Sequence, residues 1–426
     1  MNLRYREGAV LADLFCGIDF GTSNSTVALA DRGRAWLIPL EGGEVTLPSA
    51  VFWEVDGPPG FGRAAISSYI DGVDGRLMRA LKSTLSSALI DERTVIGNKS
   101  VTFKAILTAY FRHLVVVQHA ECGPLTKVIL GRPVHFVDGD PAADLRAQTA
   151  LEEIARALGF AEVGFQFEPI AAALHYEQSV QSEELVLIVD IGGGTSDFSI
   201  VRVGPERAKA ADRGADILAN DGIRVGGTDF DRLLSLAQLL PHLGYLAPTK
   251  GGLGTMPRHY YLDLASWHRI NFLYNQRVAA DLKALRLEAV RPELIDRMMK
   301  VVAGRHGHAL AMAVETAKIA LSVVPAARMM VSDLTGGPNP LVRREDFETA
   351  VEAPLQRIAD TIAAILQQAG LSPERIGTVF MTGGSSGLPI LGMLVAAALP
   401  QARIATGDML GSVGTGLALE ARRRFG

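Results

Sequence analysis

Asp19, Gly21, Thr22 and Ser23 stand together in one short stretch of the chain, and Asp190, Gly192, Gly193, Gly194, Thr195 and Asp197 in another. Glycines let backbone N–H groups approach phosphate oxygens closely, and the hydroxyls of Thr22, Ser23 and Thr195 add donors. Carboxylates alone repel phosphate, so Asp19, Asp190 and Asp197 make chemical sense with a hydrated Mg²⁺ between them and a phosphate chain. The implied chemistry is the gripping of a nucleotide's phosphates, twice over.

Each stretch ends one apolar run and opens another, Thr26 to Ala30 and Phe198 to Val203, so both read as strand, tight turn, strand. Asp19 and Asp190 lie a domain-sized interval apart, which predicts two related halves facing each other across a cleft. A third element follows near the C-terminus. There the apolar run Thr378 to Met381 enters Gly383, Gly384 and Ser385, and Leu388 to Leu399 reads as a helix with Pro389 in its first turn. Glycines at that corner allow the flat ring of a nucleoside to lie against bare backbone.

Around these elements, Leu37 to Val55 reads as strand-rich and Phe61 to Asn98 as polar helix and loop, together a small inserted subdomain at about residues 45–100. Ser100 to Glu121 reads as a helix and Lys127 to Gly131 as a strand. Asp140 and Pro141 start another helix that Gly159 ends. From Asp229 to Ala311 the texture is helical, an insertion at about 229–305 whose Trp267, Phe272 and Tyr274 read as core. The first lobe is expected over 1–180 and the second over 181–426.

With 426 residues, 48% of them hydrophobic, and a net charge of −4, the chain has the composition of an ordinary soluble two-domain protein without a nucleic-acid surface. Two cysteines, Cys16 and Cys122, argue against a disulfide framework or metal cluster and fit a cytoplasmic setting. No apolar run reaches membrane-spanning length and no signal peptide is expected.

In this order the three elements resemble the nucleotide-binding fold shared by actin, sugar kinases and heat-shock chaperones. The wording is similar to the DnaK-type chaperone ATPase domain, closest to the YegD-like proteins. GIDFGTSNSTVAL resembles its first phosphate motif, VLIVDIGGGTSDFSIV its second and VFMTGGSSGLPIL its adenosine motif. FEPIAAALHY resembles the connecting segment, IRVGGTDFDRLL the turn after the second hairpin, VETAKIALS the helix bordering the nucleoside, and GDMLGSVGTGLAL the C-terminal stretch.

The resemblance implies an α/β fold of two actin-like, ribonuclease-H-like lobes around a cleft for ATP or ADP with Mg²⁺. Asp19 and Asp190 are then expected on either side of the metal, and Gly21, Thr22, Ser23 and Asn24 at the phosphates with Gly192, Gly193, Gly194 and Thr195. Glu168 and Asp197 are expected to orient or activate water. Gly226 and Gly227, then Glu315, Lys318 and Ser322, and finally Gly383, Gly384, Ser385 and Asp408 complete the expected nucleotide contacts.

Three departures accompany it. The family's catalytic lysine position aligns with Ile66, and Arg63 or Lys82 could replace it only by a different backbone path, which predicts slow hydrolysis. Ile319 and Gly387 stand where two arginines sandwich adenine, which predicts weaker or less selective base binding. The sequence given stops at Gly426, so the usual peptide-gripping domain is not expected. The function expected is a nucleotide-dependent switch or chaperone with a protein client or co-chaperone. The alternatives are a small-molecule kinase of the same superfamily and an actin-like scaffold.

Overall fold

A computed structural model describes residues 14–426 apart from 86, 87, 98, 211, 212, 253, 408 and 409. Two of its sheets repeat one strand order. In the first, β1 (Phe15–Phe20), β2 (Asn24–Ala30) and β3 (Ala35–Leu37) form an antiparallel meander. On the other side of β1, β4 (Lys127–Arg132) and β5 (Glu162–Phe167) join in parallel, giving β5-β4-β1-β2-β3. In the second, β6 (Glu184–Ile191), β7 (Ser196–Val203) and β8 (Ile217–Ile223) form the meander, and β9 (Thr378–Thr382) and β10 (Arg403–Thr406) the parallel extension. The order β8-β7-β6-β9-β10 is the same pattern again. Asp19 and Asp190 hold equivalent places, each one residue before the end of its strand, paired with Thr26 and Asp197 respectively.

Strand alternation sorts the core. Leu187, Val189 and Ile191 of β6 face the helices of the second lobe, while Val186 and Ile188 face a cluster shared by the two lobes. That shared cluster is built by an exchange of helices. The helix α1 (Glu168–Glu177) follows β5 of the first sheet yet packs on β6 and β7 of the second. The last helix, α3 (Ser412–Phe425), follows β10 of the second sheet and packs on β1, β2 and β4 of the first. Where α1 and α3 cross, a Cβ on Gly416 would stand 1.8 Å from the Ala171 carbonyl oxygen, so the crossing distance requires glycine there. Between these two, α2 (Gly307–Leu321) borders the cleft from the second lobe.

The helix expected after Asp140 is present as Pro141–Ala157 with the Asp140 carboxylate capping the Ala143 N–H, and the one expected before Lys127 runs Phe103–Cys122. The segment read as polar helix and loop from Phe61 to Asn98 differs. Gly75–Arg79 is a strand, pairing with Ala50–Glu54 in a three-stranded sheet with Pro59–Phe61. Its sequence, GRLMR, carries no β-branched residue, and the strand state comes from its partner. Of the expected aromatic core group, Trp267 is buried, whereas Phe272 reaches the surface under Arg269. Cys16 and Cys122 are both buried thiols without a disulfide. No helix among the described residues is long and apolar enough to cross a membrane.

Candidate functional site

The β1–β2 and β6–β7 tips meet across the cleft. A Cβ built on Gly193 would lie 2.2 Å from Ser23 Oγ, and one on Gly194 2.7 Å from Thr22 Oγ1, so a side chain at either place would drive the tips apart. The second tip is held from behind. Its Gly192 carbonyl accepts from Gly227 N at 3.0 Å and Ser385 Oγ at 3.1 Å, and its Gly193 carbonyl accepts from Thr228 N at 2.7 Å. Among the described residues the N–H groups of Gly193 and Gly194 have no acceptor, which leaves two adjacent donors for an anion.

Between the tips lies a cavity of about 240 Å³. It gathers most of the residues that the sequence singled out: Asp19, Gly21, Thr22, Ser23 and Asn24 from the first tip, and Asp190, Gly192, Gly193 and Thr195 from the second. Glu168 enters from the start of α1, Gly227 from the next turn, Glu315 and Lys318 from α2, and Gly383, Gly384 and Ser385 from the corner after β9. Four expected residues among the described ones do not line it. Asp197 lies beneath the cavity, buried and accepting from Val134 N at 2.6 Å, Gly226 packs its backbone against Gly193 and Gly194, and Ser322 caps α2 beyond the cavity wall. Gly194 lies on the far side of its own tip, and Asp408 falls outside the described residues.

Sequence reasoning left the cation in doubt, and the structure supplies one. Ile66 packs in the small core of the inserted sheet and Arg63 is tied to Glu41 and Thr46, both away from the cavity. Lys82, by contrast, lines the cavity with Asp19, Glu168 and Asp190. It opens the short helix Lys82–Leu85 just after Ala80, whose φ of +56° is a left-handed turn in a non-glycine residue. Its Nζ donates to Glu168 Oε1 at 2.5 Å.

The electrostatics of this cluster are one-sided. Burial pushes the Asp19 carboxyl up to about 7, helped by the Glu168 charge and opposed by Lys82. Burial and Glu168 bring Asp197 to about 7 against the hydrogen bonds from Thr195 and Val134. Asp190 is held well above the usual carboxylate range by burial and by Glu168, Asp197 and Asp19. For Lys82, burial pulls the ammonium down, but Glu168, Asp19 and Asp197 outweigh it and hold the group above its ordinary value. Four carboxylates face one ammonium, an excess of negative charge that a hydrated divalent cation would offset. No trio of His, Cys, Asp or Glu side chains among the described residues is placed to ligate a metal directly.

Two aliphatic side chains also line the cavity, Ile319, which is 61% exposed, and Leu410, which lies beside Gly384. Gly387 is exposed and outside the cavity. The two polar residues of α2 already have partners. Lys318 Nζ is 2.8 Å from Asp231 and donates to the Gly227 carbonyl at 3.1 Å. Glu315 accepts from Arg79 at 2.9 Å, and the Arg79 guanidinium lies 4.2 Å from the Trp267 ring centroid, so Arg79 joins the inserted sheet of the first lobe to the second lobe above the cleft. Tyr69 Oη to the Arg305 carbonyl, 2.6 Å, and Asn271 Nδ2 to the Leu77 carbonyl, 3.0 Å, add to the same junction.

Leu410 and Val413 line the cavity without having been assigned to it from the sequence; Lys82, weighed beside Arg63, and Ile319, expected at the base, line it as well. Val413 and Leu410 fall inside GDMLGSVGTGLAL, a segment whose wording had already stood out; Lys82 sits in MRALKSTL, which carries no motif.

Two sheets of one strand order, joined by exchanged helices and presenting opposed Gly-Thr hairpins to a cleft, give a two-lobed actin-like fold, and the chain is similar in sequence to Hsp70 proteins. The model of the Hsp70 protein family matches residues 296–422, and that of the MreB/Mbl protein family matches 105–235. A particular relative is the chaperone protein HscA of Salmonella newport (strain SL254), 25% identical over 400 residues. That alignment takes in 89% of this chain and 53% of HscA, so the chain spans about half the length of the curated relative it matches.

Proposed function

We propose that the chain binds ATP and ADP in the cavity between the hairpins, hydrolyses ATP there, and acts as a nucleotide-dependent switch of the Hsp70 kind. The observation that carries this reading is the meeting of the two tips, Gly193 on Ser23 and Gly194 on Thr22, with Lys82, Asp19, Glu168 and Asp190 lining the cavity between them and Asp197 buried beneath it. The free Gly193 N–H and the Thr22, Ser23 and Thr195 hydroxyls would hold phosphate oxygens, while Ile319, Leu410, Gly383 and Gly384 would take the base. Asp19 and Asp190 would hold Mg²⁺ through its water, and the ion would neutralise phosphate charge.

Glu168 would orient the attacking water, its own carboxylate fixed by Lys82. Asp197, buried beneath the cavity and held by Val134 N, would act on that water through the charge it sets at Asp190 and Glu168 rather than by touching it. Lys82 would place a positive charge beside the transferring phosphoryl group, so the slow hydrolysis expected from Ile66 is not part of this reading. Switching would act through the junction of Arg79, Glu315 and Trp267, which can hold only while the lobes are closed. The output would be read by a protein client or co-chaperone.

Limited proteolysis with ATP, ADP and no nucleotide tests the switch, alongside phosphate production by the same sample. Different cleavage patterns in the three states are expected; one pattern in all three, at saturating nucleotide, removes the switch.

A further inference from the structure

The nucleotide cavity is not the largest in the molecule. Beyond the second hairpin tip lies a chamber of about 440 Å³ between the lobes, with Ser83 and Asp138 on its first-lobe side and Arg224, Arg232, Trp267 and His268 on its second-lobe side. Its size is that of a small-molecule site. A narrow space of about 20 Å³ separates it from the nucleotide cavity. That neck shares Thr22, Lys82 and Thr195 with the nucleotide cavity and Ser83, Gly194 and Arg224 with the chamber. The three spaces therefore lie in a row, leading outward from the phosphate end.

The chamber's charges are unequally committed. Asp138 is engaged by Arg357 at 3.4 Å and by the Arg224 N–H at 3.1 Å, and Asp229 accepts from Gly226 N at 3.1 Å. Burial raises the Asp229 carboxyl against the pull of the arginines around it. Burial, with the charges of Arg269 and Arg224, holds His268 below its ordinary value. By contrast, among the described residues neither the Arg224 nor the Arg232 guanidinium makes a hydrogen bond or ion pair. Asp229 feels the charge of both, yet neither guanidinium is spent on a hydrogen bond, and two such forks lining one cavity have the chemistry to take the oxygens of a phosphate group in bidentate fashion.

We propose that this chamber is a second binding site, which takes inorganic phosphate or a small phosphate-bearing molecule on Arg224 and Arg232. The site stands on its own geometry and rests on the nucleotide reading only for one source of its ligand. That source is phosphate released by hydrolysis and passing the neck; the other is a phosphorylated molecule entering from solution.

The test is calorimetric titration of inorganic phosphate into the full chain, with and without ADP, for the wild type and for Arg224→Gln/Arg232→Gln. Saturable binding is expected, weakened about tenfold or more in the double variant because charged hydrogen bonds are lost, with ADP affinity unchanged. A phosphate sensor in a single ATP turnover separates the sources: the double variant alters the rate of phosphate release if product passes through the chamber and leaves it unaltered if the ligand comes from solution. Phosphate binding that survives the double variant, or no binding to a folded chain, overturns the proposal. A wild type that fails to bind ADP but binds phosphate in an arginine-dependent way would remove the nucleotide reading and leave the chamber standing.

Discussion

Lys82 Nζ lies 2.5 Å from Glu168 Oε1, and both side chains are less than a tenth exposed. One comes from the inserted part of the first lobe and the other from the first turn of the helix that crosses to the second, so this ion pair ties the phosphate end of the cleft together. Lys82→Met leaves Glu168 buried beside three aspartates without its counter-charge. Removing one partner of a buried pair costs about 3–5 kcal/mol, and the loss of a preorganised charge at the phosphoryl group lowers turnover about 10²–10³-fold. Denaturant unfolding should show Lys82→Met/Glu168→Gln recovering part of the stability, while turnover stays low in both. Equal stability of the wild type and Lys82→Met would mean that the pair is not formed.

The pH dependence of stability has a definite sign. The folded-state carboxyls of Asp19 and Asp197 sit near 7, above their unfolded values, because of burial first and Glu168 second. A raised carboxyl stabilises fully at low pH and loses that contribution as pH rises from the unfolded value through the folded one. Ligand-free protein should therefore melt lower at about pH 8 than at about pH 6 through these two groups, and Asp19→Asn should shrink the difference. Mg²⁺-nucleotide favours the ionised carboxylates, so its binding should tighten over the same interval and release protons, seen as buffer-dependent heats.

Arg79 makes its two contacts across the junction between lobes, the ion pair to Glu315 and the stack on Trp267. The pair is partly exposed and worth up to about 1 kcal/mol, and the cation–π contact about 0.5–2 kcal/mol. Arg79→Ala should therefore speed nucleotide release about tenfold in stopped-flow measurements, with little change in the melting temperature of the ligand-free chain. Release at the wild-type rate would show that the junction does not limit opening.

The crossing of α1 and α3 sets the position of Glu168. Gly416→Ala places a methyl against the Ala171 carbonyl and should destabilise by about 1–3 kcal/mol or more, since the backbone cannot yield as a side chain can. Thermal unfolding beside Gly392→Ala, where a Cβ would meet nothing within 4 Å, checks the effect.

The hairpins were legible because their physical demand is local: Asp, Gly and hydroxyls between two apolar runs leave few alternatives. The same is true of Asp140 with Pro141, a helix start written in two residues. Lys82 was legible only as one candidate beside Arg63, because its place depends on the left-handed turn at Ala80 and on a strand, Gly75–Arg79, that exists only by pairing with Ala50–Glu54. The exchange of α1 and α3 between the sheets was hidden too. Small residues such as Ala171 and Gly416 show that something approaches closely, but not which element. Glu315 and Lys318 were found in the right cavity, yet their existing partners, Arg79 and Asp231, could be seen only in three dimensions.

The most direct measurement is calorimetric titration of Mg-ATP into the wild type, Asp19→Asn and Asp190→Asn, each checked as folded. The account predicts one nucleotide per wild-type chain and loss of Mg²⁺-dependent binding in both variants. No binding by folded wild type up to about millimolar ATP, a free energy near −4 kcal/mol, or unchanged affinity in both variants, would contradict it.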